Sequence, residues 1–110
     1  MGTNGTITDR MVNGAPAAGR RRSRRKPVMW AARLETEAGD HDCVAFDISA
    51  GGAKLRLEAR VALNRSVVLV LERFGPLQAE TVWRRGTTLG LRFVDRPDAV
   101  RRMLGDALPL

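Results

Sequence analysis

The sequence predicts an all-β fold, a six-stranded antiparallel β-barrel followed by one short C-terminal α-helix and preceded by a disordered N-terminal leader. Three observations predict it. Apolar residues alternate with polar ones over several short segments, the period of a half-buried strand. Those segments are separated by short glycine-containing turns. Helical spacing appears once, after Pro97. Closing six short strands on themselves removes the unpaired edges an open sheet would expose, so a barrel is favoured over a sheet.

Residues 1–19 contain Gly, Asn, Thr, Ala and Pro with scattered apolar residues, and read as a flexible leader outside a single domain of residues 20–108. Residues 20–26, RRRSRRK, repel one another and stay extended until something negative gathers them; 20–27 is therefore an arginine-rich segment ahead of the barrel. The barrel is expected over 28–94. In its first strand Val28, Trp30, Ala32 and Leu34 share one face, opposite Met29, Ala31, Arg33 and Glu35, which assigns Trp30 to the core. Glu37 to Asp40 make a turn, and residues 41–47 return as the second strand. Beyond the glycines at 51 and 52, Ala53, Leu55 and Leu57 alternate with Lys54, Arg56 and Glu58. Residues 66–72, SVVLVLE, are continuously apolar and β-branched, which suits a strand covered on both faces. Phe74-Gly75-Pro76 breaks it, and strands over 77–84 and 88–94 are joined by Arg85-Gly86-Thr87. Pro97 opens a helix expected over 97–108, with Val100, Met103, Leu104, Ala107 and Leu108 on its apolar face.

Composition narrows the function. The formal charge is +7, and six of the nineteen basic residues lie between Arg20 and Lys26, so the rest of the chain is close to neutral. Basicity this local argues for a discrete anionic partner or a solvated tail rather than a surface that coats nucleic acid. The single cysteine, Cys43, leaves no intramolecular disulfide, no metal-ligand spacing is present, and a reducing cytoplasmic setting fits best. No apolar run approaches the roughly 18 residues of a membrane helix, so membrane insertion is not expected. Asp40-His41-Asp42-Cys43 gathers the residue types that a cysteine or histidine enzyme needs. Neighbours on a strand point to opposite faces, however, and catalytic sets are assembled from distant segments, so no enzymatic activity is assigned.

The polar chemistry concentrates in Asp47-Ile48-Ser49-Ala50-Gly51-Gly52, where two strand-like segments meet. On a regular strand Asp47 and Ser49 share one face and Phe46 and Ile48 the other. Gly51 and Gly52 permit either a backbone angle closed to other residues or a close approach. The arginine run upstream can supply the opposite charge. An arginine fork donates paired hydrogen bonds to phosphate, or to the O6 and N7 edge of guanine, and a carboxylate such as Asp47 accepts from guanine N1 and N2. Together they describe a site for a guanine nucleotide with phosphates.

Arg-x-x-x-Arg ahead of a first strand, followed by Asp-x-Ser-x-x-Gly at a turn of a six-stranded barrel, resembles the PilZ domain, a bacterial receptor family for the second messenger cyclic di-GMP. The resemblance covers about residues 20–108. It implies that Arg21 and Arg25 clamp phosphate and guanine, with Arg20 and Arg24 as the alternative register, that Asp47 reads a guanine edge, that Ser49 hydrogen-bonds the ligand, and that Gly52 permits the turn. Trp83 is read either as a stacking surface for a base or as a core residue, the more frequent place for a tryptophan. The resemblance further implies a single-domain effector that needs no cofactor and passes its signal to a downstream protein partner; the charge of the arginine segment implies that a ligand with two phosphates orders it against the barrel, and that this ordering is the signal. Two other functions compete: a small barrel binding single-stranded nucleic acid through a basic arm, and a PilZ-like adaptor that contacts protein only. The first calls for several exposed aromatics, and this chain has five aromatic residues in total.

Overall fold

A computed structural model describes residues 24–108; the leader, Arg20 and Arg21 lie outside the described residues. Six strands form a closed barrel in the order β1-β2-β3-β6-β5-β4, and every neighbouring pair is antiparallel. The strands are β1 (Lys26–Thr36), β2 (Gly39–Ile48), β3 (Gly52–Arg56), β4 (Ser66–Leu71), β5 (Gly75–Arg85) and β6 (Thr88–Phe93). The chain thus makes two three-stranded meanders, linked by residues 57–65 and sealed by the β3–β6 and β1–β4 pairs.

Tight turns fix the hairpins. Glu37-Ala38 joins β1 to β2, with Gly39 at φ 131° and the Thr36 hydroxyl donating to the Gly39 carbonyl at 2.9 Å. Gly86-Thr87 joins β5 to β6, with Gly86 at φ 60°, the left-handed value that a two-residue hairpin favours. The crossing segment 57–65 has no strand of its own and is tied down by side chains. The Arg84 guanidinium donates to the carbonyls of Ala59 at 2.6 Å, Leu57 at 2.8 Å and Gly86 at 2.8 Å. The buried Thr81 hydroxyl donates to Ala62 O at 2.7 Å and accepts from Arg65 N–H at 3.1 Å, so its polar group is satisfied inside the barrel wall.

Inside, β1 contributes Leu34, β2 Cys43, Ala45 and Ile48, and β3 Ala53 and Leu55. Val67, Leu69 and Leu71 come from β4, Leu77 and Ala79 from β5, and Leu89, Leu91 and Phe93 from β6. Trp30 is partly buried at the margin of this cluster, its ring 5.1 Å from that of Phe74. On β4 the alternation is strict: Val67, Leu69 and Leu71 are buried, while Val68 and Val70 are half-buried on the outer face. Coverage on both faces, expected from the unbroken apolar run, is therefore incomplete, because β-branched residues also suit an exposed pleat.

The helix α1 (Pro97–Leu104) starts with proline in its first turn, where a fixed φ is an advantage, and ends at Gly105, φ 54°. A single 3-10 turn, Gly105–Ala107, follows, so the α-helix is shorter than the expected 97–108. Val100, Leu104 and Leu108 are buried in the same cluster as the barrel interior, and Met103 reaches Gly75 beside the β4–β5 turn. β1 begins two residues earlier than expected, since Lys26 and Pro27 already pair with Ile48 and Asp47.

Leu34 is fully buried on the strand that seals the barrel, opposite His41 on β2 and Leu69 on β4. Leu34→Ala is expected to lower unfolding stability by about 3 kcal/mol in urea titrations, the usual cost of a large cavity that cannot collapse.

Candidate functional site

The turn after β2 is held by its serine. Ser49 is buried; its hydroxyl accepts from the N–H groups of Gly51 at 3.1 Å and Gly52 at 3.2 Å, and its own N–H donates to Gly52 O at 2.9 Å. Gly51 O in turn accepts from Phe93 N–H at 2.8 Å, which docks the turn on β6. Gly52 is required for a different reason from the one the turn suggests. Its φ is not in the left-handed region; instead a Cβ there would stand 2.2 Å from the Leu91 carbonyl oxygen, so β3 and β6 can pair this closely only at a glycine.

Three sequence-predicted residues come together at this turn. Arg25 Nη1 donates to Asp47 Oδ1 at 3.0 Å and reaches the Ser49 hydroxyl at 3.5 Å. Lys54, on the neighbouring strand, approaches the other carboxylate oxygen at 3.9 Å. Arg24 is described and exposed. Lys54 was not foreseen, although its register opposite Asp47 on β3 places it there directly.

Asp47 faces outward because β2 carries a bulge. Cys43 and Ala45 point into the barrel, and a strict period of two would send Asp47 in with them. The β2–β3 register shifts by one between Ala45 and Asp47, so Phe46 is the extra residue and Ile48 becomes the next one inside. Phe46 consequently leaves the face expected of it and lies on the exterior, under the Arg56 guanidinium at 5.6 Å. The β1–β2 register shifts as well, between Pro27 and Trp30.

A second bulge acts on β5. Leu77, Ala79 and Thr81 are buried, the β5–β6 register shifts between Thr81 and Trp83, and Val82 and Trp83 both emerge on the outside. Trp83 is therefore 39% exposed, and the core reading of it is overturned. Its indole lies on Gly90, where a Cβ would fall 2.2 Å from the ring. Beside the β5 bulge is an open depression of about 380 Å³ whose lining includes Arg25, Gly52, Glu80, Trp83 and Arg92.

The sequence model described as PilZ domain matches residues 19–108. The chain belongs to the PilZ domain family. Among solved structures, the PilZ domain of CeSA from a cellulose-synthesizing bacterium is similar at a TM-score of 0.62 and 20% identity, covering 76% of this chain and 97% of that one. YcgR from Escherichia coli, solved in complex with c-di-GMP, is similar at a TM-score of 0.58 and 20% identity, covering 76% of this chain and 42% of that one. This PilZ domain therefore spans less than half of YcgR. No curated protein matches the sequence.

Elsewhere on the PilZ barrel, Asp40 and Asp42 are exposed on β2 while Cys43 points into the interior. Cys43 is buried, and removal from water, reinforced by the charge of Asp42, pushes its thiol up to about 11. Among the described residues no group of three or more His, Cys, Asp or Glu is placed to hold a metal ion, and no helix is long and apolar enough to cross a membrane.

The Cys43 thiol is protonated in both states below its unfolded pKa, and between that value and about 11 only the unfolded chain ionises. Stability should then fall with rising pH across this window, by about 2 kcal/mol at pH 10.5, and urea midpoints of Cys43→Ala should lack that part of the alkaline loss. The two close-approach glycines should differ in the same assay. Gly52→Ala drives a methyl into backbone and is expected to cost about 2–3 kcal/mol, whereas Gly90→Ala meets an exposed ring that can lift, costs below about 1 kcal/mol and shifts tryptophan emission.

Proposed function

We propose that this PilZ domain is a receptor for cyclic di-GMP, which it binds on the outside of the barrel between the arginine segment and the Asp47–Gly52 turn. The observation that carries the reading is the convergence of Arg25, Asp47 and Ser49. A guanidinium, a carboxylate and a hydroxyl from segments 22 to 24 residues apart meet within hydrogen-bond reach. Family membership and the similarity to YcgR, itself solved with c-di-GMP, support the choice of ligand. Arg25 is the second arginine of the Arg21–Arg25 register, which favours that register over Arg20–Arg24.

Each group has a task that its chemistry suits. The Arg25 fork donates to phosphate or to the Hoogsteen edge of guanine, and Arg21 supplies a second such donor. Asp47 has acceptor capacity beyond Arg25 and Lys54 and takes the N1 and N2 donors of guanine. Ser49 keeps the turn closed with its two acceptor positions and turns its O–H, held loosely by Gly52 O at 3.4 Å, toward the ligand; Gly52 lets the strands approach, and Trp83 offers an exposed face for stacking. The protein acts by binding and performs no chemistry on the ligand.

Signalling follows from charge. Residues 20–27 carry the basic run, and a ligand with two phosphates neutralises its self-repulsion and draws it over the barrel. Arg25, already paired with Asp47, is the fixed end of that movement, and the segment upstream is the part that is gathered. The new surface is read by a downstream protein partner.

Isothermal titration with cyclic di-GMP should show saturable binding that Arg25→Ala and Asp47→Ala each weaken by at least about tenfold, the cost of one charge-assisted hydrogen bond, without lowering the melting temperature. No heat and no displacement at millimolar ligand would sink the proposal. Equal affinity for single-stranded DNA of similar charge, lost steeply with salt, would favour the nucleic-acid reading instead.

A further inference from the structure

β6 holds an arginine that the proposed site leaves unused. Arg92 stands directly opposite Gly52 on β3 and opposite Glu80 on β5. Gly52 presents no side chain on its flank, while on the other flank Arg92 Nη2 donates to Glu80 Oε1. Both residues line the same depression as Arg25 and Trp83.

We propose that Arg92 is a further phosphate-binding residue of this site, and that Glu80 is an internal competitor which occupies it until a ligand phosphate displaces the carboxylate. The inference rests on the reading of the site as one for a cyclic dinucleotide. A carboxylate and a phosphate present two oxygens to a guanidinium in similar geometry, so Glu80 imitates the anion that replaces it. The exchange costs little: the Arg92 and Glu80 side chains are 69% and 39% exposed, and water screens ion pairs this wet so that they hold their partners weakly. It also completes the charge balance. The ligand carries two phosphates, Arg25 and Arg92 line the same depression, and Asp47 is already shared between Arg25 and Lys54.

The test is calorimetric titration of cyclic di-GMP into the full chain and into Glu80→Gln, Arg92→Gln and the double variant. Arg92→Gln should weaken binding about tenfold and flatten the dependence of affinity on KCl, because one phosphate contact is gone. Glu80→Gln should tighten binding several-fold, and that gain should vanish in the Arg92→Gln background, as it does only when the two act through each other. Binding by Arg92→Gln within twofold of the parent, or a Glu80→Gln gain that persists in the double variant, overturns the inference while leaving the receptor assignment intact. A parent protein that gives no heat at millimolar ligand overturns both.

Discussion

A barrel of six short strands has room inside for one side chain in two, and that constraint governs everything else in this molecule. Leu34, Leu55, Leu69 and Leu89 fill the space by obeying it. The site exists because two strands break the alternation at chosen places. The extra residues Phe46 and Val82 rotate the next stretch of each strand by half a turn, so that Asp47 and Trp83 leave the interior; Trp83 lines the depression, and Asp47 is joined to it through Arg25. Buried without compensation, the Asp47 carboxylate would oppose folding by several kcal/mol. Turned outward it meets Arg25 and Lys54 at the surface, where the same charge becomes available to a ligand.

The depression is soft in energy and hard in backbone. Its ion pairs, Arg25 with Asp47 and Arg92 with Glu80, are exposed or half-exposed, so each holds its partner weakly and can trade it. Beneath them the main chain is fixed by the Ser49 hydroxyl, by the Gly51–Phe93 bond and by the close contact of Gly52 with Leu91. Exchangeable charges on a rigid frame suit recognition of a small anion, because the frame keeps the donors in place while the counter-charge changes.

Much of this was legible in the sequence. Period-two segments gave six strands with ends within two or three residues of those observed, and Asp47 and Ser49 could be singled out by residue type and spacing, whereas Arg25 is distinguished within the arginine run only by the resemblance to the PilZ motif. What was hidden has a common cause: the structure departs from ideal periodicity. A bulge leaves no mark in composition, so the outward turn of Phe46 and Trp83 was invisible, and the tryptophan could be read as core. Gly52 was recognised as necessary, but its close contact with Leu91 comes from a strand about forty residues away. Lys54 and Arg92 sit in an alternating pattern that any solvent-facing residue would satisfy, and only the register opposite Asp47 and Gly52 separates them from the others. Gly105 carried a helix-stop signal inside an apolar pattern that continued to Leu108, and the glycine prevailed.

The Arg84 clamp on the crossing segment bears on a different problem. Two meanders, each with free edges, are connected by residues 57–65, and a barrel built this way closes equally well with the second meander of another copy if that connection straightens. By drawing the carbonyls of Leu57, Ala59 and Gly86 onto one guanidinium, Arg84 keeps the connection bent and the partner meander local. One side chain thus guards the fold against exchanging halves with its neighbours.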